Sequence, residues 1–294
     1  MDTAPFSAGC QRPQAVVPVG ACDCHVHVYD ARYPAAPGAR LLPPDAFAAD
    51  YRQLQRRLGL SRVVLVTPST YGTDNRCMLA GLSALGPGAR GVAVIGGQES
   101  DAELLDLHAQ GVRGVRLNLS LGVSGTAEQL EPLARRIAPL GWHLQLLMAP
   151  ELLASLAPVL RRLPVPLVFD HLGRIAPQQA GRHPAHALLL ELLQAGRAWI
   201  KLSGGYIVSP QRSVEDPALD ELAAGYLRAA PQRVLWGSDW PHATASAGMQ
   251  PMPDDARQLD RLAEWLNRTE SAATLQQVLV DNPAQLYGFG VACT

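Results

Sequence analysis

The sequence predicts an α/β chain folded as a single-domain (β/α)8 TIM barrel, with its active site at the C-terminal ends of the strands. Three observations predict it. The 294 residues suit one such barrel, which takes about 250. Short β-branched or apolar runs alternate eight times with longer stretches of helical spacing, and no linker separates two halves. The first run ends in His-Val-His, where an open doubly wound sheet would place a glycine-rich phosphate loop.

In chain order, strands are expected near residues 21–28, 62–67, 91–96, 112–119, 142–148, 167–171, 198–203 and 234–238. Helices are expected over 45–58, 76–85, 101–110, 127–140, 150–162, 186–194 and 216–229, with a final pair over 254–267 and 270–280. Residues 1–20 form an N-terminal extension and 21–294 the barrel. Two connections after strands are long and proline-rich, 29–44 and 240–253. Both belong on the catalytic face, as lid and wall or as plain surface insertions.

Composition narrows the function classes. Hydrophobic residues make up 48% and charged residues 17%, and the formal net charge is −1 with no Lys/Arg run. Neither nucleic acid nor an anionic membrane is an expected partner. The N-terminus lacks the basic start and apolar run of a signal peptide, and no apolar stretch approaches a membrane span. Five irregularly spaced cysteines, Cys10, Cys22, Cys24, Cys77 and Cys293, fit a reducing cytoplasm better than a disulfide framework. All 25 basic residues but Lys201 are arginine.

Strand parity at the C-terminal ends picks out the candidate site. On the first strand Asp23, His25 and His27 share one face, read as inward, and Cys22, Cys24 and Val26 the other, read as packing under helices. Two imidazoles two residues apart can grip a metal ion or a substrate oxygen, or can be a hydrogen-bonded pair in the mouth. Other strands add polar ends: Arg116 and Asn118 on the fourth, His171 and Arg174 on the sixth, Ser203 to Tyr206 on the seventh. Asp239 ends the eighth, beside the first. Strand two runs into Thr67, Ser69, Tyr71 and Thr73. Lys201 lies one step deeper than Ser203, where a buried ammonium needs a partner; Asp23 is read as that partner, with proton transfer as the other reading.

The segments Cys-Asp-Cys-His-Val-His-Val-Tyr-Asp, Pro-Ser-Thr-Tyr-Gly-Thr-Asp-Asn-Arg, Val-Arg-Gly-Val-Arg-Leu-Asn, Phe-Asp-His-Leu-Gly-Arg, Lys-Leu-Ser-Gly and Trp-Gly-Ser-Asp-Trp-Pro-His, in this order, resemble the amidohydrolase superfamily. Within it they resemble the branch of 2-pyrone-4,6-dicarboxylate lactonase. The closing Asp281-Asn282-Pro283-Ala284-Gln285-Leu286-Tyr287 is similar too, so the resemblance runs from about Cys22 to Phe289. It implies that His25, His27 and His171 surround the scissile carbonyl, that Asp239 is the general base, and that Arg116 binds a substrate carboxylate. It implies a pocket lined by Ser69, Tyr71, Thr73 and Asn75, and Asn118, Gln145, Tyr206 and His242 complete the candidate substrate contacts. Metal-dependent members usually carry a further His at the end of strand five and a bridging Lys or Glu on strand four; here stand Gln145 and Arg116. The pattern resembles the metal-independent branch, so no cofactor is expected. Relatives that bind a dicarboxylate often carry Arg just after the strand-seven Tyr, where this chain has Ile207.

The expected reaction is hydrolytic opening of a small carboxylate-bearing lactone. Asp239 activates water, and the histidines hold the oxyanion if at least one is protonated, which a nearby carboxylate favours. Three rivals stand beside it. One is a sugar-acid lactone isomerase on the same residues. Another is a mononuclear zinc hydrolase using His25, His27, His171 and Asp239. The third is a non-catalytic small-molecule-binding barrel.

Overall fold

The structure, a computed structural model, describes residues 3–120, 125–269 and 274–290. Eight parallel strands pair in chain order: β1 (Cys22–Val26), β2 (Arg62–Val66), β3 (Ala89–Ala93), β4 (Val112–Asn118), β5 (His143–Leu147), β6 (Leu167–Phe169), β7 (Ala198–Leu202) and β8 (Val234–Trp236). The sheet closes where the His27 amide donates to Trp240 O (2.8 Å) and the Asp239 amide to His25 O (2.9 Å). Helices α1 (Ala48–Leu58), α2 (Arg76–Leu85), α3 (Asp101–Ala109), α4 (Leu130–Ile137), α5 (Pro150–Ser155), α6 (Ala157–Leu160) and α7 (Pro184–Gln194) follow the first six strands. Then come α8 (Gly205–Val208), α9 (Ala218–Ala229), α10 (Ala243–Ser246), α11 (Asp255–Arg268) and α12 (Asn282–Tyr287). The chain is the (β/α)8 barrel its alternation predicts.

Some boundaries differ for identifiable reasons. The helix expected over 150–162 divides into α5 and α6, because Pro158 in the first turn of α6 has no N–H to continue the ladder. β3 starts and ends earlier than 91–96. Of the helix expected over 270–280, residues 270–273 lie outside the described residues; the remainder winds into a π-helical turn, Gln277–Asp281, and continues as α12. Pro283 is accepted there because it sits in the first turn of α12. Cys293 also lies outside the described residues. No helix among them is long and apolar enough to cross a membrane.

Period-two alternation sorts the strand residues into two cores. Leu65, Leu144, Leu146, Phe169, Ile200 and Trp236 belong to the large apolar cluster that includes the helices. Val64, Val66, Val92, Val168 and Leu235 fill the barrel interior, with Tyr287 and Phe289 from the C-terminal segment packed against them. Residues 3–20 are tied to the far side of the β8 loop. Trp240 Nε1 donates to Pro5 O at 2.8 Å, and the Phe6 and Trp240 rings meet edge-on at 5.7 Å.

The first strand breaks the alternation. Cys22 and Cys24 lie in the interior cluster, the reverse of the outward placement that parity predicts. Asp23 points outward, accepting from the Ser238 hydroxyl (2.6 Å), the Ser238 amide (2.9 Å) and the Tyr51 hydroxyl (3.2 Å). A bulge between Asp23 and Val26 is the cause. The extra residue lets Cys24 and His25 face inward in succession, after which Val26 is outward and His27 inward. The His25 amide donates to Asp23 Oδ1 (3.1 Å) across this kink. Burial pushes the Asp23 carboxyl up to about 7, with its hydrogen bonds opposing. Asp23 is therefore not the partner of Lys201.

Candidate active site

The C-terminal mouth holds a cavity of about 140 Å³. Its walls come from the strand ends (His27, Ser69, Arg116, Asn118, His171 and Asp239) and from both long connections: Tyr29, Arg40 and Leu41 after β1, Ala243 and Thr244 after β8. The two connections thus act as walls. Ile207 lines it from α8.

Asp239 is the centre. Its Oδ1 lies 3.6 Å from His25 Nε2, 3.7 Å from His27 Nε2 and 3.9 Å from His171 Nε2. The Nε2 atoms of His25 and His27 are 3.2 Å apart. Its Oδ2 accepts from the Tyr206 hydroxyl at 2.6 Å. Behind Tyr206, His242 Nδ1 lies 3.0 Å from that hydroxyl and His242 Nε2 lies 3.1 Å from Asp255 Oδ2. Because the Tyr206 proton goes to Asp239, His242 is the donor to Tyr206. Burial disfavours the charged His242, but Asp255 and Asp239 outweigh it and raise its pKa.

Both ends of this arrangement are bent into place. His171 (φ 49°), Asp239 (φ 69°) and His242 (φ 57°) hold left-handed backbone, at roughly 1–2 kcal/mol each. Such strain persists where the surroundings over-determine it. Gly237 lets β8 approach β1: a Cβ there would lie 2.6 Å from His25 Cβ. Gly204, at φ +55°, leaves room for His171, whose Nδ1 would otherwise be 2.7 Å from a Cβ.

Burial governs the charges. It pushes His25 well down, reinforced by Lys201, and His27 down to about 4. His171 is lowered too, again chiefly by burial. The imidazoles therefore stay neutral, contrary to the sequence expectation that a neighbouring carboxylate would protonate one. For Asp239, burial acts upward, but the three imidazoles and the Tyr206 hydroxyl overcome it and bring the carboxyl to about 2. It is ionised at neutral pH.

Beneath this ring lies a second polar layer. Lys201 Nζ donates to Gln145 Oε1 (2.8 Å), approaches His25 Nδ1 (3.2 Å) and pairs with Asp170 Oδ1 (3.6 Å). Asp170 Oδ2 accepts from Arg116 Nε (3.0 Å) and Gln145 Nε2 (3.1 Å). Asp170 is the site residue that sequence reasoning missed. Its signal was present: Val168 is inward, so parity sends Asp170 inward as well. Asp170 is the buried partner that Lys201 needs.

Not every candidate reaches the cavity. Gln145 is fully buried in the lower layer, its amide used by Lys201 and Asp170. Tyr71 accepts from the Asp30 amide (2.8 Å) and lines a separate cleft with Tyr33 and Pro34. Thr73 is exposed. Asn75 is spent on structure, accepting from Thr67 Oγ1 (2.7 Å) and the Val94 amide (2.9 Å) and donating to Val94 O (2.8 Å). Tyr71, Thr73 and Asn75 stand off the cavity because the chain turns away after Ser69 into a short 3₁₀ turn, Ser69–Tyr71, and Gln145 because it lies two residues deeper on β5 than Leu147, which lines it; Tyr206 and His242 stand behind Asp239 and do not line it either. Ser69 remains, held by Asn118 Nδ2 at 2.8 Å.

The quartet His25, His27, His171 and Asp239 looks like a cation cage, and the ligand atoms of His25, His27 and Asp239 lie within 4.8 Å of one another. A ligating imidazole donates its other N–H to an acceptor. His27 does so, Nδ1 to Val66 O at 2.7 Å, and His171 Nδ1 meets the Ser203 hydroxyl at 2.9 Å. His25 Nδ1 faces both the Lys201 ammonium, a donor, and Asp170 Oδ1, an acceptor, each at 3.2 Å. Whether His25 Nε2 offers a lone pair to an ion is thus set by which of these two neighbours fixes its tautomer.

Sequence comparison agrees with this geometry. The model of the amidohydrolase family matches residues 22–289. The chain is 36% identical over 294 aligned residues to a 2-pyrone-4,6-dicarboxylate hydrolase of Comamonas testosteroni, covering 94% of this chain and 92% of that one. It is 31% identical over 280 aligned residues to a D-galactarolactone isomerase of Agrobacterium fabrum, covering 94% and 93%. A crystal structure of an Agrobacterium tumefaciens protein in its apo form superposes with a TM-score of 0.85 at 28% identity, over 97% of this chain and 99% of that one. The barrel, the histidine ring around the β8 aspartate and the match over nearly the whole chain together make this protein an enzyme of the amidohydrolase family.

Proposed function

We propose that the enzyme opens a small carboxylate-bearing lactone by hydrolysis. The observation that carries this reading is the ionised Asp239 carboxylate, with three imidazole Nε2 atoms 3.6–3.9 Å from its Oδ1, beside Arg116 in one cavity. Arg116 spends its Nε on Asp170, and its terminal nitrogens serve a substrate carboxylate. Asp239 takes a proton from water as the water oxygen attacks the lactone carbonyl. His171, which lines the cavity and carries its proton on Nε2 when the Ser203 hydroxyl donates to Nδ1, donates to the oxygen that becomes negative. The tetrahedral intermediate collapses with cleavage of the ring C–O bond, and the proton on Asp239 passes to the departing oxygen. The product is the open hydroxy acid, and Asp239 is an ion again. No bound metal enters this scheme, and nothing in it requires a cofactor.

Where Ile207 offers no charge, Arg40 on the β1 connection lines the same cavity and is the cation for a second anionic group. The relatives favour lactone substrates of both outcomes, hydrolysis and isomerisation. In the isomerase reading a substrate hydroxyl replaces water at Asp239. Proton NMR of incubations with 2-pyrone-4,6-dicarboxylate and with D-galactarolactone separates them: an open acid marks the hydrolase, a rearranged lactone the isomerase. Turnover of no carboxylate-bearing lactone would overturn both. Arg116→Met should raise KM for a carboxylate-bearing lactone by about ten- to a hundredfold, from a lost charge-assisted pair of roughly 1.5–3 kcal/mol. It should leave KM for an uncharged lactone little changed.

A further inference from the structure

We propose that Lys201 keeps this site from binding a divalent cation by choosing the tautomer of His25. His25 Nδ1 lies 3.2 Å from both Lys201 Nζ and Asp170 Oδ1, one a donor and the other an acceptor. The two neighbours demand opposite tautomers. Directionality decides between them, because Asp170 Oδ1 receives no well-directed hydrogen bond despite its proximity. Lys201 Nζ, fully buried, directs one N–H to Gln145 Oε1 and another to His25 Nδ1. A neutral imidazole that accepts at Nδ1 carries its proton on Nε2.

His27 is held in the opposite form. Its Nδ1 donates to Val66 O, so its Nε2 presents a lone pair. The two Nε2 atoms, 3.2 Å apart, then make one consistent hydrogen bond from His25 to His27. Both tautomers are set from below, by β7 and β2.

A cation in the ring would need the Nε2 lone pair of His25. The proton would have to move to Nδ1, pointing at an ammonium in a dry interior. Without the ammonium, Asp170 Oδ1, 3.2 Å away, is the acceptor left beside Nδ1, and a small turn of the ring would align Nδ1–H with it, giving the carboxylate–histidine support that metal ligands use. The barrel therefore contains nearly all of a metal site, and one lysine withholds the last lone pair. This inference stands whichever lactone the enzyme takes.

The test compares the wild-type chain with Lys201→Met, both stripped of metal. Long-range proton–nitrogen NMR reads the His25 tautomer: Nε2–H is expected in the wild type and Nδ1–H in the variant. Zinc competition against a chromophoric chelator should show affinity rising in the variant by about ten- to a hundredfold, the usual weight of such outer contacts. Nδ1–H in the wild type would overturn the proposal, as would equal zinc affinity in the two proteins. If Lys201→Met fails to fold, the wild-type spectrum decides alone.

Discussion

Two buried carboxylates end two strands of this barrel and meet the same imidazole, yet they do different work. Asp170, after β6, is enclosed by Arg116, Gln145, Lys201 and His25. Asp239, after β8, has Tyr206 on one oxygen and keeps the other toward the cavity, with the imidazoles at 3.6–3.9 Å rather than in tight hydrogen bonds. Both are held as anions against the effect of burial, Asp170 by His25, Lys201 and Arg116, and Asp239 by the histidines. Asp170, paired with the Lys201 and Arg116 cations and closed off from the cavity, is placed as their counter-ion. Asp239, ringed by neutral imidazoles at arm's length and open to the cavity, is free to take a proton, which is the role proposed for it above. Partner type, more than burial or ionisation, is what differs between the two carboxylates at this mouth.

The sharpest way to break that contrast is to neutralise each carboxylate in turn. Asp239→Asn should lower kcat by about 10²–10⁴-fold, the range of a lost general base, with melting temperature little changed. Wild-type turnover in that variant would end the assignment. Asp170→Asn should act on the other axis. It leaves Lys201 and Arg116 without their anion and should cost about 3–5 kcal/mol of stability in chemical denaturation, as broken buried ion pairs do. A stable Asp170→Asn protein that had lost only kcat would make Asp170 part of the chemistry.

Acid should expose the same division. The unfolded chain protonates histidine near 6.5 (roughly the free value), whereas His27 resists until about 4. Between these values the unfolded state binds more protons, so stability rises with pH and falls on acidification. His27 alone contributes about 3 kcal/mol across that window, and the lowered His25, His143 and His171 act in the same direction. Asp23, raised to about 7, works the other way, since its ionised unfolded form binds fewer protons. A melting temperature that climbed from pH 6.5 toward about 4 would contradict this balance.

The smallest expected effect tests the edge of the site. Tyr71→Phe removes hydrogen bonds to the Asp30 backbone and should cost about 1 kcal/mol of stability, with kcat and KM preserved. A large rise in KM would bring Tyr71 back to the substrate.

Much of this was legible before the fold. The alternation of strand and helix, His25, His27 and His171 in the mouth, and Asp239 at the end of β8 all follow from period-two parity and from the closing of a barrel that sets its last strand beside its first. Asp170 is legible too, one parity step from Val168, and the parity rule alone sends it inward. Parity failed at β1. A bulge adds one residue to a strand without marking the sequence, so Cys22, Cys24 and Asp23 were assigned to the wrong faces while His25 and His27 came out right.

The sequence by itself determined the barrel and the chemical types at the strand ends, Arg116 among them. Only the tertiary structure decided which carboxylate Lys201 meets, that burial lowers the pKa of His25, His27 and His171, and that two groups of opposite demand face His25 Nδ1. The reason is physical. Residue type and spacing are local and repeat along the strand, whereas a buried proton's place depends on every donor and acceptor within about 4 Å, and those arrive from β1, β2, β5, β6 and β7 at once.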